Sequence, residues 1–123
     1  MPRILVIEDE APIRANVRRF LGLLGHEVED AADGRAGLEA ARARPPDLVL
    51  CDILMPELDG FGVLAALRAD PATAGIPFVF LTASADKREH ADGLAKGADA
   101  YVTKPFHLKD LEAVIEALLA RGS

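Results

Sequence analysis

A chain of 123 residues with 20 acidic against 14 basic side chains, for a formal net charge of -6, lacks the clustered Lys and Arg that a phosphate-neutralising nucleic-acid surface needs. Half of its residues are hydrophobic, enough for a single domain over residues 1–123 to bury a core without staples. Cys51 is the one cysteine, which excludes an intrachain disulfide and fits a reducing, cytoplasmic setting, and no segment reads as a signal peptide or membrane span.

Short β-rich runs alternate with longer runs of helical period, which predicts an α/β fold: roughly five βα units around a parallel sheet with helices on both faces. The first strand, Arg3 to Ile7, runs into Glu8-Asp9-Glu10. Pro12 suits the opening turn of the first helix, whose apolar positions Ile13, Val17, Phe20, Leu21 and Leu24 share one face until Gly25 stops it. Arg14, Arg18 and Arg19 give that helix a basic face. Glu27 to Ala31 is a weaker strand and reads as a sheet edge. Asp33 caps a second helix that ends before Pro45-Pro46.

Leu48 to Cys51 is a buried third strand, and Asp52 follows it at once. Asp59-Gly60 then opens a third helix carrying Phe61, Leu64 and Leu67. Phe78 to Leu81 leads into Thr82-Ala83-Ser84. A fourth helix within residues 85–96 is expected to be the loosest: its buried face offers little beyond Ala91, Leu94 and Ala95, and Gly93 costs about 1 kcal/mol relative to Ala. The fifth strand, Ala100 to Thr103, carries Tyr101 and runs into Lys104-Pro105. The last helix turns Leu108, Leu111, Ile115 and Leu118 inward. Cys51 reads as a small buried hydrophobe, and His26, His90 and His107, without metal-ligand spacing, as surface or loop residues.

Open parallel sheets bind ligands outside the carboxyl ends of their strands. On that edge Glu8, Asp9 and Asp52 would meet Thr82 and Lys104. Two carboxylates about 4 Å apart repel by about 4 kcal/mol at an effective dielectric of about 20, so the three acids cannot all stay ionised without a cation beyond one lysine. An incomplete set of oxygen donors favours Mg²⁺. A hard cation beside a carboxylate, with Lys104 and Thr82 opposite, is equipment for phosphoryl transfer, in which Asp52 is the nucleophile.

Glu8-Asp9, Asp52 followed by Met55-Pro56 and Asp59-Gly60, Thr82-Ala83, and Lys104-Pro105-Phe106 stand in an order and spacing that resembles the receiver domain of two-component response regulators, single-domain chemotaxis-type regulators among them. The resemblance covers essentially the whole chain. It implies a flavodoxin-like doubly wound (βα)5 three-layer sandwich with a five-stranded parallel sheet in the order 2-1-3-4-5. It implies that Asp52 accepts a phosphoryl group from a histidine kinase or histidine phosphotransfer protein, with Thr82 and Lys104 contacting the phosphoryl oxygens. Asp9, Asp52 and the Leu54 backbone carbonyl would hold Mg²⁺, with Mn²⁺ as a substitute and Glu8 acting largely through water. Thr82 and Tyr101 would form the switch, Tyr101 turning inward on activation and reshaping the surface of fourth helix, fifth strand and fifth helix. The Lys104-Pro105 bond would be cis. Kinases and phosphatases would dock near the basic face of the first helix.

The implied protein is a cytoplasmic phosphoacceptor rather than an enzyme, with self-catalysed phosphorylation and dephosphorylation, no direct nucleic-acid binding, no membrane insertion, and a phosphorylation-dependent dimer as one output. Its downstream target is left open, as is whether it stands alone or belongs to a longer protein. A haloacid-dehalogenase-type phosphatase would want a second acid two residues after the nucleophile, where Leu54 stands, and a cap domain. A flavodoxin would want a hydroxyl- and glycine-rich loop after the first strand, where Glu8-Asp9-Glu10 would repel a phosphate. The remaining rival is a protein-binding module of the same fold with vestigial phosphorylation.

Overall fold

The structure, a computed structural model, describes residues 2–83, 88, 91, 94–104 and 106–121. Along the chain lie β1 (Arg3–Ile7), α1 (Ala11–Leu23), β2 (Glu27–Ala31), α2 (Gly34–Ala43), β3 (Leu48–Asp52), α3 (Gly60–Ala69), β4 (Phe78–Thr82), β5 (Ala100–Thr103) and a C-terminal helix (Leu108–Arg121). All five strands run parallel in the order β2-β1-β3-β4-β5, as the resemblance implies. The strand order reverses between β1 and β3, the crevice at which this class of sheet binds ligands.

Two apolar layers sandwich the sheet. Leu5, Ile7, Val49, Cys51, Phe78 and Phe80 pack against α2 and α3. The alternate residues Ile4, Val6, Leu48, Leu50, Val79 and Leu81 pack against Val17 and Leu21 of α1 and Leu111, Ile115 and Leu118 of the C-terminal helix. β1, β3 and β4 are therefore apolar on both faces, whereas β2 at the edge alternates exposed acids with half-buried residues. Each side chain buried this way contributes roughly 1.5–3 kcal/mol relative to leaving it in water.

Local signals act where the sequence puts them. Asp33 accepts from Ala36 N at 2.7 Å and Asp59 from Gly62 N at 2.8 Å, capping α2 and α3. Pro12 sits in the first turn of α1, and Gly25, at φ 91°, takes the left-handed conformation that ends it. Leu24 and Leu108 depart from expectation, at 38% and 40% exposed. Each stands at a helix end, beyond the reach of the sheet. Arg88, Ala91, Leu94 and Ala95 are helical and exposed, so the expected inward face of the fourth helix is not buried. Residues 85–87, 89, 90, 92 and 93 of that segment, His90 among them, with Ser84 and the Lys104-Pro105 bond, lie outside the described residues.

Candidate functional site

β3 and β4 each run one residue further than their apolar runs. Asp52 pairs with Leu81 and Thr82 with Thr103, so both polar side chains are last rungs of ladders and not loop residues. That placement holds them rigidly and buries them: Asp52 is 5% and Thr82 3% exposed. Gly60 closes down on Asp52 from α3, its amide donating to Ile53 O at 2.8 Å. A Cβ at position 60 would stand 2.4 Å from the Asp52 carbonyl oxygen, so the approach requires glycine. Between them the loop turns tightly, with Leu58 N donating to Pro56 O at 2.8 Å across Glu57, whose φ of 67° is rare for a residue with a side chain. Leu54, whose carbonyl the resemblance assigns to the metal, has a 76% exposed side chain in this loop.

Glu8 extends the β1–β2 ladder by one bond, its amide donating to Ala31 O at 3.1 Å, and its side chain is fully buried. Lys104, positioned by its own amide bond to Thr82 O at 2.7 Å, reaches across the end of the sheet. Its Nζ lies 2.5 Å from Glu8 Oε1 and 3.5 Å from Asp52 Oδ2. The lysine thus pairs most closely with Glu8, a carboxylate that the resemblance had acting through water. Burial pushes the Glu8 carboxyl up to about 7, against the opposing pull of Lys104 and with the support of nearby Asp52. Burial draws Lys104 downward, but its two carboxylate partners prevail and hold it above its ordinary value.

Glu8, Asp9, Glu10 and Asp52 can each present a carboxylate oxygen within 4.8 Å of the others. Asp9 and Glu10 are exposed while Glu8 and Asp52 are buried, so the cluster has a wet rim and a dry floor. Four hard oxygen donors with one lysine for counter-charge suit a divalent cation that keeps part of its water shell. Glu10 is the member absent from the expected ligand set. The run of three acids was its signal, but whether the third points into the site depends on the turn into α1.

Tyr101 pairs with Phe80 in the β4–β5 ladder, and their rings stack with centroids 5.1 Å apart. Phe80 in turn contacts Phe61 of α3 at 5.1 Å. Tyr101 is therefore half-buried against the core, one strand away from Thr82. Of the basic stripe on α1, Arg19 faces solvent, while Arg14 turns inward to donate from Nη1 to Glu8 O at 2.8 Å.

The family model of the response regulator receiver domain matches residues 4–116. The chain belongs to that family. The receiver domain is 44% identical over 119 residues to a probable transcriptional regulator, ycf27, of Cyanophora paradoxa, covering 97% of this chain and 48% of that protein. It is 41% identical over 121 residues to the DNA-binding dual master transcriptional regulator RpaA of Synechocystis, covering 98% of this chain and 50% of that one. The chain spans about half the length of these curated relatives. Among solved structures, the Vibrio cholerae chemotaxis protein CheY4 superposes with a TM-score of 0.91 at 31% identity, over 96% of this chain and 98% of that chain. The receiver domain of the Francisella response regulator 1452 superposes at 0.94 and 28% identity, with 100% of both chains covered. The chain is thus a signalling receiver domain, with no helix among its described residues long and apolar enough to cross a membrane.

Proposed function

We propose that this single receiver domain is a cytoplasmic phosphoacceptor switch in which Asp52 takes a phosphoryl group from the phosphohistidine of a histidine kinase or histidine phosphotransfer protein. The observation that carries the reading is Asp52 itself: a 5% exposed carboxylate on the last rung of a central strand, with an ammonium 3.5 Å away and three further acids around it. A structural role would not place a buried acid among like charges.

An Asp52 carboxylate oxygen attacks phosphorus as the phosphorus–nitrogen bond breaks, the bonding pair leaving with the imidazole, which takes up a proton. Lys104 would stabilise negative charge on the phosphoryl oxygens, and the Thr82 hydroxyl, one residue beyond the Leu81 partner of Asp52 on β4, would donate to one of them. Asp9, Asp52 and the Leu54 carbonyl would hold Mg²⁺, or Mn²⁺ in its place, with Glu8 and Glu10 beside them. When bound, the cation would neutralise the charge that keeps a phosphate and an acid apart. The chain turns over no other substrate.

The new charge at Asp52 would draw Thr82 toward the phosphoryl and shift Tyr101 against Phe80, altering the surface made by the fourth helix, β5 and the C-terminal helix. That surface would pass the signal on, through a phosphorylation-dependent dimer or to an effector, of which DNA-binding is the kind that the relatives' names suggest. The receiver itself, at -6, would not touch nucleic acid.

Mass spectrometry of the intact protein after incubation with Mg²⁺ and acetyl phosphate tests the reading. A phosphoryl adduct is expected in the wild type and lost in Asp52→Asn. An adduct undiminished in that variant would place the acceptor elsewhere, and a wild type that takes up none would favour a binding module of the same fold.

A further inference from the structure

We infer that Arg14 is a positioning residue for the metal-binding turn, fixing the Glu8-Asp9 peptide against the edge strand; this rests on the reading of Asp9 and Asp52 as metal ligands. The basic stripe on α1 divides into two kinds of side chain. Arg18 is 58% exposed and stands 3.7 Å from Asp30. Arg14 is 22% exposed, and its guanidinium spans two elements: Nη1 donates to the Glu8 carbonyl at 2.8 Å while Nε lies 3.5 Å from Asp30 Oδ2 on β2.

The Glu8 carbonyl belongs to the planar peptide that joins Glu8 to Asp9. Holding that oxygen orients the plane, and the plane sets the direction in which the Asp9 side chain leaves the backbone. On the other side of the same residue, the Glu8 amide is tied to Ala31 O of β2 at 3.1 Å. Both polar groups of Glu8 are thereby referred to β2, one through backbone and one through Arg14. Asp9 is exposed, so its position comes from this frame and not from packing. A planar fork can satisfy a carbonyl and a carboxylate together, which a lysine ammonium on the same helix position cannot reproduce.

Charge and geometry predict opposite outcomes, which makes the inference testable. As a mere cation near four carboxylates, Arg14 repels Mg²⁺, and removing it should tighten binding. As a positioning group it prepares the turn, and removing it should loosen binding about tenfold, in the range seen for groups that orient metal ligands.

Calorimetric titration of Mg²⁺ alone into the wild type, Arg14→Ala and Arg14→Lys, with thermal melts of each metal-free protein to register folding separately, decides between them. The expected result is about tenfold weaker binding in Arg14→Ala and a smaller, severalfold loss in Arg14→Lys, which keeps the charge without the fork. Unchanged or tighter binding in Arg14→Ala overturns the positioning role and leaves the metal site standing. A wild type that takes up no Mg²⁺ overturns both. Should Arg14→Ala fail to fold, Arg14→Lys decides alone, and affinity equal to wild type overturns the role.

Discussion

The two ends of the sheet carry their charges in opposite ways. At the end away from the site, the Arg68 guanidinium of α3 is saturated. It donates to the carbonyls of Ala74, Ile76 and Gly97 at 2.7–3.1 Å and to Asp99 at 3.2 Å, and Asp99 also accepts from Phe78 N at 2.8 Å. At the carboxyl end, Lys104 faces Glu8 and Asp52 with Asp9 and Glu10 close by, so negative charge is in surplus. One cluster is balanced by its own partners, and the other carries more carboxylates than its lysine can balance. The first serves folding, and the second holds unfavourable repulsion that a ligand can relieve.

Breaking the finished end should cost most. Arg68→Ala leaves several part-buried carbonyls and Asp99 without their donor, and should destabilise the fold by about 3 kcal/mol in urea unfolding, with little change in Mg²⁺ affinity. A loss below about 0.5 kcal/mol would show that water replaces the guanidinium freely and that the two ends differ less than their geometry suggests. Relieving the surplus at the other end should act in the opposite direction. Asp52→Asn is expected to raise metal-free stability by about 1 kcal/mol while abolishing the stabilisation that Mg²⁺ gives the wild type.

A subtler separation comes from pH. The Glu8 carboxyl is raised from 4.5 to about 7 in the folded chain, so the native state binds this proton more tightly than the unfolded state does. Its contribution is therefore fully present below pH 4.5 and is lost as the pH rises through about 7. Metal-free stability should fall across that window, and Glu8→Gln should flatten the fall. Lys104, held above its ordinary value, contributes on the acid side of its own titration throughout this window and leaves the sign unchanged. A pH series of melting temperatures for the two proteins, without metal, checks it; a wild-type profile as flat as that of Glu8→Gln would show that Glu8 is ionised throughout.

Much of this was legible in the sequence, and the exceptions have two causes. The bounds of β1, β2 and β5 follow from their β-rich runs, and the caps of α2 and α3 from Asp33 and Asp59. β3 and β4 were each read one residue short, because hydrophobicity ends at Cys51 and Leu81 while the hydrogen-bond ladder continues. Strand ends at a functional edge are where polar residues are carried into regular structure, so an apolar run marks them early. That Glu8, Asp52, Thr82 and Lys104 gather follows from strand order alone. That Lys104 sits nearer Glu8 than Asp52, or that Arg14 leaves the basic stripe for the Glu8 carbonyl, depends on side-chain paths over an ångström or two, which no periodicity encodes.

Cys51 gives the molecule an internal clock. The thiol is fully buried in the central strand, beside the proposed acceptor, and burial pushes its ionisation well above the usual range. Alkylating reagents should therefore modify the native chain no faster than β3 separates from its neighbours. Since Cys51 is the sole cysteine, bulk thiol chemistry without any label or substitution counts those openings for the very strand that presents Asp52. Comparing the rate with and without Mg²⁺ then measures how far the cation slows the breathing of the strand beneath it.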